Sequence, residues 1–220
     1  MAVPTQSISA AADSYARLLG TVERMRPEQI FQPSALPGWT RGHVLTHISR
    51  NADGLGNLLR GARTSQPIPM YPSPESRDRG IEDGSKRTLE EQLTDLRASA
   101  LRFAGAMESM PAAAWDVEVP HRTGPFPAER VPRKRVSEIE YHHVDLDLGY
   151  TPAQWPQEFV AAELTPLVDR HLGTGAITRE LLQQVAAAPD HALLAWLSGR
   201  SDGADLGVPA SSLPTLPPLS

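Results

Sequence analysis

Two pairs of side chains with metal-binding chemistry recur in the sequence at a spacing of four residues. Glu138 and His142 form one pair, in the stretch SEIEYHHVDLDLGY (residues 137–150), and His43 and His47 form the other. Residues four apart on an α-helix lie on the same face, so each pair can present its side chains together. Glu138, His142 and one histidine of the other pair would supply two nitrogens and one oxygen. That ligand set suits zinc with an open fourth position.

Helical phase alone leaves the choice of histidine open. The pairs border the apolar stripes of their predicted helices, and His43, His47, His142 and His143 all remain candidate ligands. A single Glu–His pair at this spacing is more commonly a surface pair worth about 0.2–0.5 kcal/mol. Here two such pairs occur on separate predicted helices in a chain with seven histidines. We therefore give equal weight to two interpretations, a metal site and two unrelated surface pairs.

The amino-acid composition is that of a globular protein, and it argues against some classes of binding partner. Of its 220 residues, 40% are hydrophobic and 21% are charged, which is not the composition of a disordered chain. The net charge of -5, without a long basic run, argues against general binding to nucleic acid or to an anionic membrane. No apolar stretch reaches the ~18 residues of a transmembrane helix, and no signal peptide is recognisable, so we expect a cytoplasmic protein. The chain has no cysteine, so a metal would be held by His, Asp or Glu.

Four amphipathic helices are expected to position these residues. Apolar side chains with the helical period predict them near residues 5–25, 40–62, 88–110 and 132–148. An antiparallel four-helix bundle is the simplest packing that buries four such stripes. Residues 64–87, rich in Pro, Ser and charge, are predicted to be a long loop that accommodates a crossover. A short extended segment is expected around Val117 and Val119.

The pattern of apolar residues changes near residue 150, from long amphipathic helices to shorter helical segments, and this change predicts a domain boundary. Residues 1–150 are predicted to form the bundle with its metal site, and residues 151–220 a small C-terminal α or α/β domain with a Pro-rich tail. Helical patterns occur at 159–172, with Pro166 as an expected kink, at 178–188 and at 191–198. Residues 208–220 are expected to be extended or loosely held.

Three stretches of the chain resemble signatures of one family. LPGWTRGHVLTHISRNADGLGNLL (residues 36–59) and RVSEIEYHHVDLDLGYTPAQWP (residues 135–156) resemble the second-helix and fourth-helix signatures of the mycothiol-dependent maleylpyruvate isomerase family, part of the wider DinB-like group. LLAWLSGRSDG (residues 193–203) resembles a C-terminal motif of the same family. The resemblance implies a mainly α protein with a DinB-like antiparallel four-helix bundle.

The resemblance also implies a ligand set. Carried over position by position, the metal triad of the family falls on His47, Glu138 and His142. His43 and His143 then become neighbours of the site, through packing or through contacts with the ligands.

Other titratable groups receive roles from the same resemblance. Asp145 could orient a ligand imidazole, as metal-bound histidines usually require, whereas Glu140 and Asp147 are predicted to lie on a solvated face. The family places an arginine of its C-terminal domain at the active site, and Arg200 is the matching position. Its guanidinium would suit a carboxylate of the substrate or cofactor. The alternative for Arg200 is a helix-terminal arginine that interacts with the helix dipole.

The chain departs from the family in two places. Residues 132–135 read PRKR where family members often have an apolar or aromatic residue, and these basic side chains could favour an acidic ligand or serve surface solvation. Between residues 172 and 191 the family typically has a strand pair, whereas this sequence predicts a helix. The C-terminal region is therefore expected to be shortened or remodelled.

The implied activity is cis–trans isomerisation with mycothiol, a low-molecular-weight thiol, as cosubstrate. A metal-activated thiolate adds to the double bond of a small acidic molecule, the new single bond rotates, and elimination returns the trans isomer; maleylpyruvate to fumarylpyruvate is the type reaction of the family. Zinc is favoured, although nickel, iron or cobalt could take the same ligands. Two alternatives are a mycothiol S-transferase and a metal-binding DinB-like module without turnover. A monomer or a homodimer is expected.

Overall fold

The computed structural model describes residues 3–122 and 124–216 and divides into two compact units, Met1–Leu148 and Gly149–Ser220. The described part of the first unit contains five α-helices and one pair of short antiparallel strands. They are α1 (Thr5–Val22), α2 (Arg41–Thr64), α3 (Pro74–Gly84), α4 (Leu89–Glu108), β1 (Glu118–Val119), β2 (Phe126–Pro127) and α5 (Val131–Asp145). None of the helices in the described residues is long and apolar enough to cross a membrane.

Helices α1, α2, α4 and α5 form the predicted four-helix bundle. Both α1 and α2 pack against α4 and α5. The contacts between α2 and α5 show that these two helices are antiparallel. Arg41, at the start of α2, donates to the carbonyl of Leu146 just after α5, whereas Arg135, in the first turns of α5, donates to the carbonyl of Ile48 further along α2.

Helices α2 and α4, in contrast, run in the same direction. Thr46 on α2 donates to Gln92 on α4, and two to three helical turns further along both helices Asp53 pairs with Arg102. Short loops join antiparallel neighbours, so a parallel pair needs a long connection. Residues 65–88 provide it, in agreement with the predicted crossover.

The buried core fixes the rotation of the two helices that carry the predicted metal ligands. Ile48, next to His47, and Ile139, next to Glu138, are both almost completely buried in one apolar cluster. This cluster joins all four bundle helices, and its other large members are Leu18, Val22, Ile30, Val44, Leu45, Leu96 and Leu146. Because neighbouring residues on a helix point about 100° apart, burial of the two isoleucines turns His47 and Glu138 to the edge of the core.

The prediction that residues 64–87 are a loop is wrong for their second half, which forms α3. Ser73 accepts a hydrogen bond from the backbone N–H of Ser76 at 3.1 Å, and Pro74 occupies the first turn, where its missing N–H leaves no bond unmade. These start signals are present in the sequence, within a stretch whose Pro, Ser and charge content is typical of a loop. The helix persists because it packs against α2.

Glycine at position 84 allows α3 to approach α2 closely, since a Cβ there would collide with the side chain of Thr46. We expect Gly84→Ala to lower the free energy of unfolding by about 1–2 kcal/mol through overpacking. Gly80→Ala is the matched control, because no atom beyond its chain neighbours and the backbone of its own helix lies within 4 Å of its Cβ position. Urea unfolding should show Gly80→Ala unchanged or stabilised by up to about 1 kcal/mol. Equal effects of the two substitutions would contradict the close packing.

The second unit is also helical in its described residues. It contains α6 (Gln157–Gly173), which continues through Pro166, α7 (Arg179–Gln184) and α8 (Asp190–Leu197), with α6 packed against α8. Helix α7 lies where the sequence predicts a helix in place of a strand pair. The Pro-rich end forms a 3₁₀ turn at Ala210–Ser212, and residues 217–220 of that prediction lie outside the described part.

Candidate metal centre

The structure brings the three predicted ligands together at the contact between α2 and α5. Nε2 of His47 lies 3.0 Å from Oε2 of Glu138, and Nε2 of His142 lies 3.7 Å from the same oxygen. One ligand atom from each residue can be chosen so that all three lie within 4.8 Å of one another. With metal–ligand bonds of about 2.0–2.2 Å, donors on one zinc ion are about 3–4 Å apart. The 3.0 Å and 3.7 Å distances to Glu138 therefore match the spacing of donors on a single divalent cation.

The protonation states of the cluster also suit a cation. Burial favours a raised pKa for Glu138, but its hydrogen bond with His47 and the charges of His47, His142 and Arg135 lower that pKa to about 2. Burial, followed by the proximity of His142, lowers the pKa of His47. Glu138 is therefore ionised and His47 neutral near pH 7, which are the forms that bind metal.

Asp145 holds the ring of His142 in one orientation. Its Oδ2 lies 2.8 Å from Nδ1 of His142, and the carboxylate is buried. A carboxylate at this position accepts the Nδ1–H and leaves the Nε2 lone pair directed at the cluster. The contact expected from the sequence is thus present.

Residues 64–87 contribute two groups to the site that the sequence did not predict. Nη2 of Arg77, on α3, lies 3.4 Å from Nδ1 of His47. Tyr71 precedes α3, and burial together with the nearby charge of Glu138 raises its pKa to about 12. A cation and a neutral phenol therefore border the cluster. The Ser-Pro start of α3 is the sequence signal that could have placed Arg77 on a helix.

Trp39 covers the cluster from the connector before α2. Its ring centroid is 5.7 Å from that of His47, and the ring of His47 is in turn 4.5 Å from that of His142 in an edge-on arrangement. Aromatic neighbours at these distances restrict the rotation of both imidazoles.

The other two candidate histidines do not belong to the cluster. His43 caps the start of α2, with Nδ1 2.8 Å from the hydroxyl of Thr40 and Nε2 3.2 Å from Glu82. His143 faces α1, where its Nε2 lies 2.8 Å from the hydroxyl of Thr21. The structure therefore separates the four histidines that helical phase left open.

The solvated face predicted for Glu140 and Asp147 is correct only for Asp147, which is exposed. Glu140 is fully buried, and its carboxylate accepts hydrogen bonds from Ser14 at 2.5 Å and Arg17 at 2.6 Å. Partners on α1 offset the cost of removing this charge from water. The local pattern of α5 does not reveal them.

The basic stretch before Glu138 is likewise not a solvated surface throughout. Arg135 is only 2% exposed, and its Nη1 donates to the carbonyl of Ile48 at 2.8 Å and to the side-chain oxygen of Asn51 at 2.9 Å. Burial lowers its pKa to about 10, so it remains a cation near pH 7. Arg135 therefore sits in the bundle as an internal charge.

Arg200 lies directly after α8 in the second unit. Its Nη1 donates to the carbonyl of Ser198 at 3.0 Å, at the C-terminal end of that helix. This contact is the one expected for a helix-terminal arginine. A role for Arg200 at an active site stays a prediction.

The fold and the cluster together define a four-helix bundle with a His–Glu–His group between two antiparallel helices. Residues 11–147 match the family described as the mycothiol maleylpyruvate isomerase N-terminal domain. The match spans more than half of the chain, and the chain belongs to this family.

Solved structures show the same fold. The crystal structure of a mycothiol-dependent maleylpyruvate isomerase is 22% identical, covers 90% of each chain and superposes with a TM-score of 0.83. A histidine-to-alanine mutant of such an isomerase is 21% identical, covers 97% of this chain and 96% of its own, and has a TM-score of 0.85. Comparison with curated protein sequences gave no significant match.

Proposed function

We propose that the protein is a metal-dependent, mycothiol-using cis–trans isomerase of the maleylpyruvate isomerase type, with a small acidic substrate. The observation that carries the proposal is the convergence of His47, Glu138 and His142, with Asp145 behind His142. Membership of the family supports the use of mycothiol.

The donor set fits a divalent cation, for which zinc is our first choice. Two imidazole nitrogens and one ionised carboxylate oxygen are typical of catalytic zinc sites, which keep a further position open. Nickel, iron or cobalt could use the same groups. A cation held there would lower the pKa of a coordinated thiol and so make a thiolate available at neutral pH.

The residues of the chain perform the binding and orienting steps. Asp145 holds the proton on Nδ1 of His142, so that Nε2 remains a ligand. Arg77 adds a positive charge beside His47, which favours an acidic substrate. The chain contains no cysteine, so the reacting sulfur must come from the cosubstrate. Arg200 is proposed to bind a carboxylate of the substrate or of mycothiol.

The proposed reaction has no net stoichiometric change. The thiolate sulfur bonds to one carbon of the activated double bond while the π electron pair moves to the conjugated carbonyl as an enolate. The resulting single bond rotates, and the enolate electron pair then re-forms the double bond as the trans isomer and expels the same sulfur as thiolate. Incubation of metal-loaded protein with mycothiol and maleylpyruvate, followed by NMR, tests this. Formation of fumarylpyruvate with mycothiol unchanged is the expected result. A stable thioether would indicate an S-transferase, and the absence of both products would contradict both enzymatic activities.

Asp145→Asn is expected to weaken metal binding by about tenfold, within the range of about 10–100-fold found when the hydrogen-bond partner of a ligand histidine is removed. The physical reason is that an amide no longer balances the positive charge that develops on the His142 ring. Competition with a chromophoric chelator measures the affinity. Asp147→Asn is the matched control, because Asp147 is exposed on the same segment and should leave affinity unchanged. Equal affinities for both variants would contradict the role of Asp145.

A further inference from the structure

A cavity with a volume of about 730 Å³ lies between α1 and α4, apart from the metal cluster. Its walls are mainly apolar and include Ile8, Ala12, Leu19, Ala100, Phe103 and Met107. None of the three residues of the metal cluster lines it. Cavities of about 300–1,000 Å³ with apolar walls and few polar groups are typical of small-molecule sites.

Two buried hydrogen-bond donors in the lining of this cavity have no acceptor in the described part of the chain. Arg135 lines the cavity, and while its Nη1 binds Ile48 and Asn51, its Nη2 has no hydrogen-bond partner in the described part of the chain. The hydroxyl of Tyr15, which also lines the cavity, is buried and has no partner among the described residues. Buried polar groups in native proteins nearly always have a hydrogen-bond partner, so we expect both donors to bind an acceptor.

The charge of Arg135 identifies what kind of acceptor is missing. Glu138 interacts electrostatically with its guanidinium, but no carboxylate of the described residues forms an ion pair with it, although the side chain is almost completely removed from water. A buried cation is stable when an anion lies beside it, and the planar guanidinium is suited to a carboxylate. The cavity therefore combines an anion-binding end with apolar walls.

We propose that this cavity binds an amphipathic carboxylate, such as a medium-chain alkanoate. The hydrocarbon chain lies between α1 and α4, and the carboxylate accepts hydrogen bonds from Nη2 of Arg135 and from the hydroxyl of Tyr15. This site is separate from the metal cluster, and it does not depend on the proposed isomerase activity.

Isothermal titration of the whole chain with decanoate tests the proposal directly. We expect one saturable site for decanoate and at least about tenfold weaker binding of decan-1-ol, since hydrogen bonds to charged groups are the stronger ones. Decyltrimethylammonium, with the same chain length and the opposite charge, should not bind. No saturable binding of decanoate, or equal binding of the alcohol, would overturn the proposal.

Two variants locate the binding. Ala104→Trp should fill the cavity and abolish binding, whereas Ala161→Trp, an exposed position of α6, is the matched control and should bind as the parent does. Tyr15→Phe removes only a hydroxyl and should weaken binding by about 3- to 10-fold, the loss of one ordinary hydrogen bond. Circular dichroism confirms that each variant is folded.

Unchanged binding in both Ala104→Trp and Tyr15→Phe would show that decanoate binds elsewhere, and the proposal would fail. It would also fail if decanoate did not bind while Ala104→Trp dissociated a dimer in size-exclusion chromatography. In that case a second copy of the chain, not a carboxylate, would occupy the cavity.

Discussion

Replacing His47 with alanine is expected to lower the affinity for a divalent cation by at least about 100-fold. The change removes one of three donors, and loss of a mere hydrogen-bond partner of a ligand already costs about 10–100-fold. The other two candidate histidines do not replace it, because His43 and His143 face Thr40 and Thr21 instead of the cluster. Metal content after loading and desalting, measured by mass spectrometry, and a chelator competition titration give the result.

The control for this prediction lies on the same helix. His43→Ala removes an imidazole one turn earlier on α2, where it contacts Thr40 and Glu82, and should leave metal content unchanged. Its effect should be confined to the stability of the start of α2. If His47→Ala retained as much metal as the parent, the proposed triad would be rejected.

Glu140→Ala is expected to destabilise the bundle by about 3 kcal/mol. The substitution deprives the buried hydroxyl of Ser14 and the guanidinium of Arg17 of their common acceptor and leaves space in the contact between α1 and α5. Removing one partner of a fully buried ion pair costs about 3–5 kcal/mol, and the effect here is at the low end because Arg17 is 38% exposed. Guanidinium unfolding followed by circular dichroism measures the change in midpoint.

An exposed ion pair provides the comparison for Glu140. Glu23 pairs with Arg97 at 2.7 Å, but about half of each side chain is exposed. Glu23→Ala should therefore change the free energy of unfolding by less than about 1 kcal/mol. Similar losses for the two alanine variants would mean that burial does not strengthen the Glu140 contact.

The bundle could be predicted from the sequence because the residues that indicate each helix lie within that helix or next to it. The apolar period lies within each helix itself, and the cap of α4, Thr88, immediately precedes that helix. The pairing of Glu138 with His142 is equally local, since helix geometry relates them directly. Choosing His47 required the family resemblance, because periodicity left four histidines equivalent.

The features that the sequence did not predict depend on partners far away in the chain. Glu140 is buried because Ser14 and Arg17 of α1 donate hydrogen bonds to it. The local sequence of α5 does not indicate these partners. Arg135 is buried because the carbonyl of Ile48 and the side chain of Asn51 accept its hydrogen bonds. Helix α3 differs, because its start signal is local but its polar composition is that of a loop. Packing on α2 supplies the stability that its own sequence lacks.

The contact between His47 and Glu138 closes a loop of 91 residues that includes all of α3 and α4. A cation that binds only the closed arrangement shifts the folding equilibrium of the whole loop by mass action. Resistance of the bundle to heat and to proteolysis would then rise and fall with the concentration of the free ion around it. A chelator would then lower the stability of the bundle by removing that ion.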